Sequence, residues 1–83
     1  MTLYDFRLLS PAGQLHYVLA EGITMSRRAG GEQREVVLYH QPDWGRGFFV
    51  EVGVDGAAAS SVVLRSFRRS GPLEDYPQRL PDN

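Results

Sequence analysis

Phe48-Phe49-Val50-Glu51-Val52-Gly53-Val54-Asp55-Gly56 is the stretch that decides how this chain folds. Phe48, Val50, Val52 and Val54 recur at every second position, with Phe49, Glu51 and Gly53 between them. A period of two puts the two sets on opposite faces of a β-strand. Asp55-Gly56 accepts the positive φ angles of a tight hairpin turn, so the chain should reverse there. Residues 62–68 then supply the returning strand. Its register depends on the loop. A two- or four-residue loop places Val63, Arg65 and Phe67 beside Phe48, Val50 and Val52; an odd loop places Val62, Leu64 and Ser66 there, because a one-residue slip exchanges the faces. The odd loop keeps Arg65 off the core side and is the one expected.

Upstream of this hairpin, residues 35–41 form a dense strand. Val36, Leu38 and His40 share one face, and Val37 and Tyr39 the other. Pro42-Asp43 ends it and opens a loop through Trp44-Gly45-Arg46-Gly47. Residues 23–28 alternate again, with Ile23 and Met25 set against Thr24 and Ser26, and Gly30-Gly31 marks the turn that follows. Further back, Ser10 can cap a helix and Pro11 suits its first position, where a missing N–H costs nothing. Leu15, Val18 and Leu19 follow at i, i+3, i+4 as one apolar stripe. Gly22 can take a left-handed position at the helix end, with Ile23 reaching back to Val18. These three signals outweigh a hairpin through Pro11-Ala12-Gly13. Residues 3–9 alternate with Tyr4, Phe6 and Leu8 on one side, which reads as a half-buried strand.

The fold class that follows is α+β. It is a four- to five-stranded antiparallel meander with one helix packed on one face, in the order β-α-β-β-β-β. Residues 1–70 make a single domain. Residues 71–83 are a Pro-rich C-terminal tail with room for a short helical turn at 73–76. One helix covers one sheet face only. Val37, Tyr39, Phe49 and one of the last-strand sets are expected to form a second apolar face. Leu73, Tyr76 and Leu80 of the tail, or another subunit, should cover it.

Composition narrows the function classes. With 83 residues, 42% hydrophobic and 23% charged, the chain is of ordinary globular type. It buries only roughly 60–65% of its unfolded surface, so its stability should be on the order of a few kcal/mol. There is no cysteine, which removes disulfides and thiolate zinc sites. Net charge is −1, so no global field draws nucleic acid or an anionic membrane. No apolar run reaches the ~20 residues of a bilayer span, and no signal-like segment opens the chain. A bacterial cytoplasm is the expected setting.

Chemistry-bearing motifs are absent. His16 and His40 have no ligand spacing, no Gly-x-Ser-x-Gly elbow occurs, and the glycines form no phosphate loop. Glu74-Asp75 suit a helix N-terminus. No catalytic, metal or cofactor-binding residue is assigned. All nine basic residues are arginine. Arg27-Arg28 and Arg65/Arg68/Arg69 lie among aromatics, a pattern used by single-strand nucleic-acid binders. Pairing of these arginines with Glu35 and Glu51 across strands accounts for them more simply. Trp44 is either a plug over one end of the core or a contact anchor. The leading expectation is a non-enzymatic protein-interaction module, a homodimer that uses Val37, Tyr39, Trp44, Phe49, Arg65 and Phe67. Nucleic-acid binding, and a small enzyme built on His16 or His40, are the alternatives.

Overall fold

The structure, a computed structural model, describes residues 1–31, 34–43, 45–57 and 60–68. Two helices, α1 (Leu3–Leu8) and α2 (Pro11–Glu21), precede four strands: β1 (Ile23–Ala29), β2 (Arg34–Gln41), β3 (Phe48–Asp55) and β4 (Ser60–Phe67). The strands form one antiparallel meander in the order β1-β2-β3-β4. This is the expected α+β sheet with four strands. The tail from Ser70, with its proposed helical turn, lies outside the described residues, as does Trp44.

The first segment corrects the expected order, because it is a helix and not a strand. Leu3 and Phe6 are buried at helical spacing, while Tyr4 and Leu8 are 72% and 70% exposed. Thr2 caps the helix by accepting from the Asp5 N–H at 3.1 Å, and Asp5 stands in the first turn with Arg7 in the last. Arg7 then ties the helix to the sheet by donating to the Ser66 carbonyl at 2.8 Å.

The second helix begins as expected. The Ser10 hydroxyl accepts from the Gly13 N–H at 3.1 Å, and Pro11 opens the first turn. Its buried stripe differs. Val18 is fully buried, Leu15 and Tyr17 pack beside it, and Leu19 is half exposed. The helix end differs too. Gly22 has φ −76°, so it is extended and not left-handed. Close approach explains the glycine: a Cβ there would lie 2.5 Å from the Val18 carbonyl oxygen and 3.2 Å from the Tyr39 ring. Ile23 begins β1 and is half exposed.

Helices and sheet meet over Leu3, Phe6, Val18, Phe48, Val50 and Val52. Phe6 and Phe48 are in tilted ring contact at 5.3 Å. In β2–β3, Tyr39 pairs with Val50 and Val37 with Val52. Directly opposed residues share a face, so Val37 and Tyr39 belong to the helix side. Phe49 pairs with His40 and belongs to the other side with Val36 and Leu38. The expected grouping of Val37 and Tyr39 with Phe49 is therefore corrected. The six residues between β2 and β3 set odd-numbered residues opposite even-numbered ones, a parity that alternation within each strand leaves open.

The last hairpin corrects the expected odd loop: the loop is even, Val62 faces Gly53, and only beyond a bulge does Ser66 take the place the odd loop would give it. Asp55 pairs with Ser60, so the connection has four residues, and Val63 faces Val52. A bulge at Leu64 then shifts the ladder by one: Arg65 faces Glu51, Ser66 faces Val50 and Phe67 faces Phe49. Val63 thereby reaches the helix core while Arg65 stays out of it. A second irregularity in β1, between Thr24 and Ser26, marks the other edge of the sheet. Bulges on both edge strands disrupt the ladders that edge-to-edge pairing would need.

Candidate interaction surface

Opposite the helices, the pairing registers lay side chains out in rows across four strands. Ser26, Leu38, Glu51 and Arg65 form the central row. Arg28, Val36, Gly53 and Val62 form the row toward the hairpin turns. Ile23, His40, Phe49 and Phe67 form the row at the other end. We call this the far face.

Its centre is an ion cluster. Glu51 is only 2% exposed and is held on both sides by arginine. Arg65 makes a two-pronged contact, Nε to Oε1 and Nη2 to Oε2, the latter at 3.1 Å. Arg28 Nη2 stands 3.6 Å from Oε2. A carboxylate removed from water needs such partners, because desolvation of a charge outweighs any single contact. Apolar groups surround the cluster. Val36 and Leu38 are buried, with Met25, Phe49 and Phe67 packed beside them. The Phe49 and Phe67 rings stack at 5.6 Å, and the Arg65 guanidinium sits 5.5 Å from the Phe67 centroid.

Toward the hairpin turns the face opens. Val62 and Leu64 are 54% and 51% exposed. They border a pocket of about 170 Å³, lined also by Val36 and Gly53 and by the polar Arg34, Glu35, Asp55 and Ser60. Gly53 is among its lining residues, and Leu64 packs over it: a Cβ at Gly53 would stand 3.2–3.3 Å from the Leu64 side chain and press against it. A cavity of roughly 150 Å³ takes a benzene-sized group, so the pocket has room for one side chain of that size.

The six residues singled out from sequence fall into three groups. Phe49, Arg65 and Phe67 are brought together on the far face. Val37 and Tyr39 lie on the helix side, and Trp44 is outside the described residues. Sequence reasoning missed Gly53, Val62 and Leu64. Gly53 interrupting a run of valines was the available signal, since glycine within a strand marks close approach of another group. The bulge that brings Leu64 over it has no such mark.

The histidines sit apart from this surface or at its end. His16 is exposed on α2. His40 Nε2 lies 3.0 Å from the Arg46 carbonyl oxygen, and its ring is 5.3 Å from Phe49. Among the described residues, no group of three or more His, Asp or Glu could hold a metal ion. The arginines have local partners: Arg27 pairs with Glu35 at 2.7 Å, and Arg28 and Arg65 meet Glu51. No helix among the described residues is long and apolar enough to cross a membrane. Beside the Pro42 stop, Asp43 Oδ1 accepts from the Gly45 and Gly47 N–H groups at 2.6 and 2.9 Å. Those bonds, the Gly45 one foremost, hold the Asp43 carboxyl below the ordinary aspartate value; partial desolvation opposes them. Comparison with protein-family models, with curated proteins and with solved structures found no match to this chain.

Proposed function

We propose that this protein is a non-enzymatic interaction module that self-associates through the open end of its far face. The observation that carries the reading is the pair of half-exposed aliphatic side chains, Val62 and Leu64, at a pocket that they line together with Val36 and Gly53. An aliphatic pair flanking a side-chain-sized recess is an anchor-and-pocket arrangement, the kind that concentrates binding energy at interfaces. In a two-fold dimer the same patch meets itself, so Val62 or Leu64 of each copy can enter the recess of the other. The bulged edge strands favour a contact through this face over pairing along an edge.

Light scattering behind a sizing column tests the proposal across low to high micromolar loading. A mass rising above 9.3 kDa with concentration is expected, and Val62→Asp should return it to 9.3 kDa. A wild-type protein that stays at 9.3 kDa throughout overturns it.

A further inference from the structure

The recess at the open end of the far face has a charged mouth as well as apolar walls. Val36, Val62 and Leu64 supply the walls, and Gly53 adds no side chain to the space between them. Arg34 lines the same recess. It stands two residues before Val36 on β2, so it projects to the same face. Its side chain is exposed, and among the described residues no hydrogen bond or ion pair holds its guanidinium. The acidic residues around the recess are engaged elsewhere. Glu35 alternates to the helix side and pairs with Arg27 at 2.7 Å. Asp55, opposite Arg34 in the ladder, accepts from the Ala57 N–H at 3.1 Å and so keeps one oxygen in the hairpin turn.

We propose that this recess is a binding site for a small apolar monocarboxylate, with its hydrocarbon body against Val36, Val62 and Leu64 and its carboxylate on the Arg34 guanidinium. At about 170 Å³ the recess exceeds the roughly 150 Å³ of a cavity that takes benzene, so a ring or a branched alkyl group fits. An arginine fork meets a carboxylate through two parallel hydrogen bonds, which fixes the orientation of the ligand as well as its charge. The exposed Ser60 hydroxyl, also in the lining, is a further donor. Asp55 sets the selectivity. One carboxylate is matched by Arg34, while a second would stand against Asp55, so dicarboxylates are rejected. The hydrocarbon body takes the space that Val62 or Leu64 of a second copy enters, so ligand and second copy compete. That competition rests on the self-association proposed above; the binding itself does not.

Phenylacetate is the probe, and 2-phenylethanol, which keeps the ring without the charge, is its control. Methyl NMR of the full-length chain should show saturable phenylacetate shifts at Val36, Val62 and Leu64 and none at Leu3 and Val18 on the helix side. A dissociation constant on the order of 1–10 mM is expected for so small a ligand. The alcohol, and phenylsuccinate with its second carboxylate, should each bind about tenfold more weakly. Arg34→Gln, at an exposed position, should bring phenylacetate down to the level of the alcohol, and Arg27→Gln should leave it unchanged. Equal binding of acid and alcohol, an Arg34→Gln chain that binds like the wild type, or no saturation below about 50 mM overturns the proposal. On the sizing column, saturating phenylacetate should return the wild type to 9.3 kDa. A dimer that keeps its mass with the acid bound overturns the competition. A chain that is monomeric at every loading overturns the self-association instead, and the titration alone then decides the site.

Discussion

The two faces of this sheet are both buried at their centres but by opposite chemistry. The helix face meets α1 and α2 with Phe6, Val18, Phe48, Val50 and Val52, all at 0% exposure and all without a polar side-chain atom. The far face buries Leu38 to the same degree but places Glu51 next to it, braced by Arg28 and Arg65. The first kind of burial is stabilising outright, at about 1.5–3 kcal/mol per large side chain. The second only balances: a buried ion cluster is expensive to break and adds little when intact. The helix face therefore holds the fold together. The far face constrains which groups can sit opposite it.

Removing one member from each face gives the largest effects. Phe48→Ala should cost about 3–5 kcal/mol through the cavity it leaves. Glu51→Ala should cost a similar ~3–5 kcal/mol, because two partly buried arginines then face each other without their shared acid. On a domain this small either loss should abolish the cooperative thermal transition. Replacing all three charges, as Arg28→Met, Glu51→Leu and Arg65→Met together, should leave stability unchanged or raised. A Glu51→Ala protein melting like the wild type would show that the two faces do not differ in this way.

The next test concerns the helix face at α1. Phe6→Ala should cost about 3–5 kcal/mol, and Leu8→Ala under ~0.5 kcal/mol, because Leu8 is 70% exposed. On a strand the two side chains would share a face and cost alike. Chemical denaturation of the pair thus measures helix against strand at residues 3–8.

That contrast also marks where the sequence could be read. Strict alternation in residues 48–54 identified β3, the dense apolar run within 35–41 identified β2, and Ser10-Pro11 identified the start of α2. Residues 3–9 alternate as well, but Thr2 three residues before Asp5 is a helix-cap pattern, and the short apolar run fits both periods. Relations between strands were less legible. Which β2 residues share a face with Phe49 depends on the parity of a connection, and the placement of Arg65 depends on a single-residue bulge. Neither is encoded by a residue type. That Glu35 and Glu51 pair with arginines across strands was legible, because opposite charges on adjacent strands have few other partners; which arginine each meets follows from the register. The open pocket was not, since the β4 bulge that brings Leu64 beside Gly53 has no mark in the sequence.

A smaller effect separates the closed centre of the far face from its open end. Gly53→Ala puts a Cβ 3.2–3.3 Å from the Leu64 side chain, which is half exposed and can swing outward. Stability should change by less than about 1 kcal/mol, while self-association weakens because Leu64 is displaced from its place at the pocket. Denaturant melts check the first, and calorimetric dilution of the two proteins checks the second. Unaltered association in Gly53→Ala would detach the recess from the interface.

The smallest expected effect lies off both faces, in the loop that sets their relative parity. Gly47 has φ +76°, and a Cβ there would stand 2.6 Å from the Gln41 carbonyl oxygen, so this position admits glycine alone. Asp43 braces the same loop by accepting the Gly45 and Gly47 N–H groups. Its carboxyl is held below the ordinary aspartate value. A depressed folded-state value means that the stabilisation is full above the unfolded value of about 3.9 and fades as pH falls through the lower, folded one. Asp43→Ala should therefore melt below the wild type at neutral pH, and the gap should close in acid. Asp43→Asn, which keeps an acceptor without the charge, should fall between them at neutral pH and be less sensitive to acid. A gap that is constant with pH would assign the brace to hydrogen-bond geometry alone. In that case the loop would keep β2 and β3 in their odd-to-even register, and both faces intact, without help from the charge.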